Sequence, residues 1–114
     1  MMHKVLVCGG REFDNYKLLR DTLDKVVGDE QCVIVSGMAR GADFLGVRYA
    51  NEMGDLVEEY PADWNKHGRA AGPIRNQQML DEGKPDLVVA FPGGKGTAHM
   101  IRIAKKAGIN VIEV

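Results

Sequence analysis

The chain has 114 residues, 45% of them hydrophobic and 27% charged, with a formal net charge of −1. That size fits one domain spanning 1–114 with one core, and the balance is globular rather than disordered. Near-neutral charge argues against bulk attraction to nucleic acid or an anionic membrane surface, and no apolar run approaches the roughly 20 residues of a bilayer span.

The start, Met1-Met2-His3-Lys4, has no apolar signal segment, so a cytoplasmic protein is expected. It runs into the apolar stretch Val5–Cys8, read as a first strand. Tyr16, Leu19, Leu23 and Val26 then recur at spacings of three and four, one apolar face of a helix over 15–27. Asp14 or Asn15 is its expected N-cap and Gly28 its stop. Cys32–Val35 is a second strand. A second helix over 42–53 places Leu45, Tyr49 and Met53 on one face and ends at Gly54. Leu56–Tyr60 is weaker and carries Glu58 and Glu59, as an edge strand does. Residues 61–72 form a long polar connection holding the single tryptophan, Trp64. Pro73 opens a third helix to about Glu82, stopped by Gly83. Leu87–Phe91 is a fourth strand, Thr97 the expected N-cap of a fourth helix closed by Gly108, and Ile109–Ile112 a fifth strand.

The strong strands are continuously apolar, which suits a parallel sheet covered on both faces. Alternating strands and helices with short connections imply an α/β Rossmann-like three-layer sandwich. We expect a five-stranded, mainly parallel sheet in order 3-2-1-4-5 with about four helices. Cys8 and Cys32 read as buried thiols on neighbouring strands rather than a disulfide or a metal site.

The 14 glycines gather where strands end. Strand 1 opens into Gly9-Gly10-Arg11-Glu12, strand 2 into Ser36-Gly37-Met38-Ala39-Arg40-Gly41-Ala42-Asp43, and strand 4 into Pro92-Gly93-Gly94-Lys95-Gly96-Thr97. Parallel strands share a carboxyl edge, so these three loops converge there. Glycines let backbone N–H groups approach a ligand, and each loop feeds a helix N-terminus that favours an anion. Arg11, Arg40, Lys95 and either Arg69 or Arg75 add positive charge, and Ser36 and Thr97 add hydroxyls. The third loop is the strongest candidate, then the second, then the first. None is a Walker A loop or the GxGxxG dinucleotide fingerprint, which disfavours a P-loop NTPase or an ordinary NAD dehydrogenase.

Ser36–Asp43, Ala71-Gly72-Pro73-Ile74-Arg75-Asn76 and Pro92–Thr97 together resemble the SLOG superfamily, which unites the Smf/DprA DNA-processing proteins with the LOG enzymes. The chain is most similar to the YspA/cpYpsA-related branch. The resemblance implies a Rossmann-like fold, binding of a nucleotide or nucleotide-derived ligand and a homodimer or larger homo-oligomer. It also raises Arg75 as a phosphate contact and Asn76 as a contact to a base or ribose. LOG enzymes cleave the base from a nucleoside monophosphate and carry Pro-Gly-Gly-x-Gly-Thr-x-x-Glu. Here Pro92–Thr97 fits, but Met100 stands at the glutamate position. Methionine cannot accept a proton or stabilise an oxocarbenium-like centre.

His99 is expected to turn to solvent. Glu12 and Asp43 are the remaining candidate catalytic carboxylates. Asp43 has the alternative of capping the second helix or bracing Arg40, and Arg75 that of pairing with Asp81 or Glu82. Trp64 either stacks on a base or packs its loop onto the domain. The leading expectation is therefore a nucleotide-binding or sensing module that requires no further cofactor and no bound metal. The alternatives are a nucleotide-hydrolysing enzyme and, as a minor one, a DNA-processing accessory protein.

Overall fold

A computed structural model describes residues 3–114; Met1 and Met2 lie outside them. Five strands, β1 (His3–Cys8), β2 (Cys32–Ser36), β3 (Leu56–Glu59), β4 (Leu87–Ala90) and β5 (Asn110–Glu113), form one sheet in the order β3-β2-β1-β4-β5. Every neighbouring pair is parallel. The expected order holds, and the sheet is wholly rather than mainly parallel.

Alternation along the strands divides the core in two, because successive side chains leave opposite faces. Val5 and Val7 of β1, with Ile34 and Val89, pack beneath α1 (Tyr16–Val27) and α2 (Ala42–Met53). Leu6 and Cys8, with Val35 and Val88, pack beneath α4 (Ala71–Asp81) and α5 (Lys95–Lys106). Burial on both faces explains why the central strands read as unbroken apolar runs. The edge strands β3 and β5 are largely exposed or half-buried.

Asn15 caps α1, its side-chain oxygen accepting from the Leu18 N–H at 3.1 Å. On α2 the expected stripe is rotated. Tyr49 is buried, but Met53 is exposed and Leu45 only half-buried, while Ala42, Gly46 and Ala50 face the sheet. Small residues bring α2 close to β1: a Cβ on Gly46 would stand 3.1 Å from Val7.

The connection expected to be irregular over 61–72 is mostly helical. Asp63 caps a one-turn helix α3 (Trp64–His67) by accepting from Lys66 N–H, a 3₁₀ turn covers Gly68–Ala70, and α4 follows at once. Pro73 is the third residue of α4, in the turn where N–H groups have no partner inside the helix. The last long helix also starts earlier than expected. Gly94, not Thr97, is the cap residue of α5, and Thr97 sits buried in its first turn. Glycine and lysine ahead of threonine hid this start, because threonine is by composition the better cap.

Cys8 and Cys32 are both buried and free. They cannot meet, since Cys32 is paired in register with His3, five residues and about 16 Å along β1 from Cys8.

Candidate ligand-binding site

The strand-end loops converge at the carboxyl edge of the sheet around two adjoining cavities. The larger, of about 580 Å³, is bounded by loop 1, α4 and the start of α5. The smaller, of about 460 Å³, lies between loop 2 and the Pro61–Trp64 segment. Arg11, Ala39, Trp64 and Arg75 line both.

The loop after β4 presents open backbone to the larger cavity. The first hydrogen bond of α5 runs from Ala98 N–H to the Gly94 carbonyl, so the amides of Lys95, Gly96 and Thr97 precede it. No side chain caps this end, and an added Cβ at Gly94 or Gly96 would meet nothing within 4 Å. Those amides carry the positive end of the helix dipole, and Lys95 adds a full charge beside them. Pro92 and Gly93 do not line either cavity. The Pro92 carbonyl accepts from Gly10 N–H at 2.9 Å, and Gly93 packs against Gly10, fastening loop 3 to loop 1.

The loop after β2 is closed upon itself. Ser36, wholly buried, accepts from Met38 N–H at 3.1 Å through its hydroxyl and donates to the Asp43 carbonyl. The Asp43 carboxylate accepts from Ala39 N–H at 3.1 Å. The Ala42 N–H, at the start of α2, is taken by the Gly10 carbonyl of loop 1. Gly41 has φ +83° and abuts Gly10 and Arg11, so no side chain fits there. The Ser36 hydroxyl is thus taken up within its own loop and Gly41 abuts the first loop, and neither lines a cavity, whereas Gly37 and Arg40 line the smaller cavity and Gly9, Gly10 and Asp43 the larger.

A hydrogen-bonded chain ties the two sides together. Arg75 donates through Nη1 to the Gly37 carbonyl at 2.6 Å and through Nε to Asn76 Oδ1 at 3.1 Å. Asn76 Nδ2 donates to the Gly96 carbonyl at 3.2 Å and meets His99 Nδ1 at 3.1 Å. A guanidinium can only donate and a carbonyl only accept, so these partners fix the amide orientation and make His99 Nδ1 an acceptor. The neutral ring then carries its proton on Nε2. Burial, then the neighbouring Arg102, hold His99 below its ordinary pKa, which keeps it neutral at pH 7.

Burial also pushes Asp43 up to about 6, opposed by the Ala39 N–H, Arg75 and Arg11. Burial lowers Arg75, the Asp43 charge opposing that shift and the like charge of Arg11 adding to it. Burial pushes the Cys8 thiol, at the edge of the larger cavity, up to about 12, so it is not a nucleophile at neutral pH.

Arg11, Lys95, Arg75 and Asn76 stand where the sequence places them, at the cavity walls, while Arg69 lines neither cavity. Arg75 does not pair with Asp81 or Glu82; it turns inward to Gly37. Asp43 neither caps α2 nor braces Arg40, whose partner is Glu12. Glu12 lines neither cavity and its side chain is 87% exposed in that ion pair. His99 is half-buried against Asn76 rather than turned to solvent, because α4 packs against this face of α5. Met100, 1% exposed, fills the core beside the larger cavity with no polar atom but its thioether. Trp64 packs its ring near Gly72 and holds the Arg11 guanidinium 5.4 Å from its centroid, yet stays 48% exposed at both cavities. Arg102 is the charged residue of the larger cavity that sequence reasoning missed, and Met79 an apolar one. Arg102 follows Lys95 and His99 at i+7 and i+3, a spacing that puts all three on one helix face.

Among the described residues no three His, Cys, Asp or Glu side chains gather at one point, and no helix is long and apolar enough to cross a membrane. The profile of the YspA, cpYpsA-related SLOG family matches residues 3–67. A protein of Mycobacterium phage D29, "Gene 61 protein", is 39% identical over 124 aligned positions, covering 97% of this chain and 95% of that protein.

Proposed function

The chain belongs to the YspA, cpYpsA-related SLOG family, and from that premise we propose that it binds or senses a nucleotide-derived ligand whose phosphate rests on the first turn of α5. The observation that carries the reading is the uncapped start of α5, where the amides of Lys95–Thr97 face a cavity also lined by Arg11, Arg75 and Arg102. An anion there receives backbone N–H donors, a helix dipole and full charges together, each charge-assisted hydrogen bond contributing about 1.5–3 kcal/mol. The other walls of the cavity, Trp64, Pro73, Met79 and Met100, supply apolar surface for a base or sugar. The His99 Nε2–H and the second lone pair of Asn76 Oδ1 offer directional contacts to it. Self-association into a dimer or larger oligomer belongs to the same reading, and light scattering tests it against the 12.5 kDa single-chain mass.

The test is calorimetric titration with a panel of AMP, ADP-ribose, NAD and cyclic nucleotides, with product analysis of each mixture. The reading expects at least one saturable ligand, no turnover, and about tenfold weaker binding in Lys95→Ala. Absence of binding across the panel would overturn it.

One observation favours hydrolysis as a second reading: Asp43 is a buried carboxylate at the cavity wall, titrating at about 6 and suited to proton transfer near neutral pH. That reading expects product from one of the nucleotides and its loss in Asp43→Asn. Product formation unchanged by the substitution would remove Asp43 from the chemistry.

A further inference from the structure

The larger cavity accounts for one phosphate and one nucleoside; the smaller cavity beside it remains to be explained. Its volume, about 460 Å³, is that of a small-ligand site in its own right. Three guanidinium groups line it, those of Arg11, Arg40 and Arg75, and no acidic side chain does.

Each arginine is held differently. Arg75 is anchored by the Gly37 carbonyl and Asn76, which leaves part of its donor fork unused. Arg11 lies against the Trp64 ring. Arg40 is held by Glu12, but both members of that pair are exposed, with side chains 69% and 87% accessible. Such a pair contributes little, so a phosphate can take the guanidinium from Glu12 at small cost. Arg11 and Arg75 face each other as like charges, which disfavours the charge on Arg75. An anion between them relieves that repulsion, adding to the Asp43 carboxylate, which borders Gly37 and Arg75 from the larger cavity and already attracts both arginines.

We propose that the smaller cavity is a second anion subsite, and that the ligand is a nucleotide carrying two phosphate groups. One rests on α5 and the other lies among Arg11, Arg40 and Arg75. Arg11, Trp64 and Arg75 line both cavities, so the two adjoin, and one molecule spanning them contacts the same side chains on either side. The proposal rests on the reading of the α5 site given above.

The experiment is calorimetric titration of the full chain with 5′-AMP, ADP and adenosine 3′,5′-bisphosphate, using wild type, Arg40→Ala, Glu12→Gln and Lys95→Ala. The two diphosphorylated probes distinguish adjacent phosphates from phosphates on opposite sides of the ribose. We expect one of them to bind about tenfold more tightly than AMP, the ratio to collapse toward unity in Arg40→Ala, and Glu12→Gln to raise the affinity for that probe about two- to threefold. The gain from Glu12→Gln is the result that a merely structural role for Arg40 would not produce. If AMP binds and weakens in Lys95→Ala, but neither second phosphate adds affinity or the gain survives Arg40→Ala, the second subsite is overturned and the α5 reading stands. If none of the three probes binds, the second subsite is overturned, and the α5 reading falls with it only when ADP-ribose, NAD and the cyclic nucleotides also fail to bind.

Discussion

Two long helices begin at the carboxyl edge of the sheet, and the donors around their starts are used differently. At α2, loop 1 supplies a carbonyl to Ala42 N–H, Asp43 takes Ala39 N–H and Ser36 takes Met38 N–H. Neither helix start has a side-chain cap, and at α5 Gly94 and Gly96 look onto open space. Both loops are rich in glycine and both feed helices, yet the first uses its donors within the protein, while the amides of Lys95, Gly96 and Thr97 precede the first hydrogen bond of α5. Glycine content alone does not separate a joint from a binding loop; what approaches each glycine does.

The largest expected effect separates the two loops by one substitution in each. Gly41→Ala forces a side chain into the left-handed region and onto loop 1, and should lose roughly 2–4 kcal/mol of stability in urea unfolding. Gly96→Ala sits in open space within a helix and should be neutral or gain up to about 1 kcal/mol, while weakening phosphate binding. Equal stability losses would mean that the α5 start is packed as tightly as the α2 start.

The next effect concerns the closed loop and pH. Burial pushes Asp43 up to about 6 in the fold from an ordinary value of 3.8, so between those values the folded chain retains a proton that the unfolded chain releases. The stability linked to this group is full below pH ~4 and is lost as pH rises to about 6, a change of roughly 2–3 kcal/mol. Unfolding curves at intervals across that window should show the slope in wild type and a flatter profile in Asp43→Asn. Identical profiles would mean that burial does not raise this carboxyl.

A smaller effect tests the link between the loops. Asn76→Ala removes the bridge from Arg75 to Gly96 and His99, and should cost about 1 kcal/mol. It should also release His99 from its single tautomer, visible in the ¹⁵N shifts of the imidazole. An unaltered tautomer would show that Asn76 does not position the ring.

Much of this was legible in the sequence. Val5–Cys8, Cys32–Val35 and Leu87–Phe91 are apolar on both faces, which declares a covered parallel sheet, and the three strand-end loops could converge only at its carboxyl edge. Other features depend on packing that local pattern does not encode. The apolar stripe Leu45-Tyr49-Met53 is rotated because Ala42, Gly46 and Ala50 let α2 settle onto β1. The 61–72 segment lacks helical periodicity, being held by one Asp63 cap and a 3₁₀ turn rather than an apolar face. His99 turns inward because Asn76, 23 residues away, receives it. Ser36 and Gly41 carry the right chemistry for a ligand, but the Ser36 hydroxyl is taken within its own loop and Gly41 abuts Gly10 and Arg11, which only three-dimensional proximity reveals.

The contrast between the two helix starts is tested most directly by following every backbone amide during a ¹H–¹⁵N titration of the labelled protein with 5′-AMP. The account predicts the largest saturable downfield shifts at Lys95, Gly96 and Thr97, with Met38, Ala39 and Ala42 nearly unmoved because their N–H groups already have partners. Saturable shifts led by Met38, Ala39 and Ala42, with 95–97 silent, would contradict it.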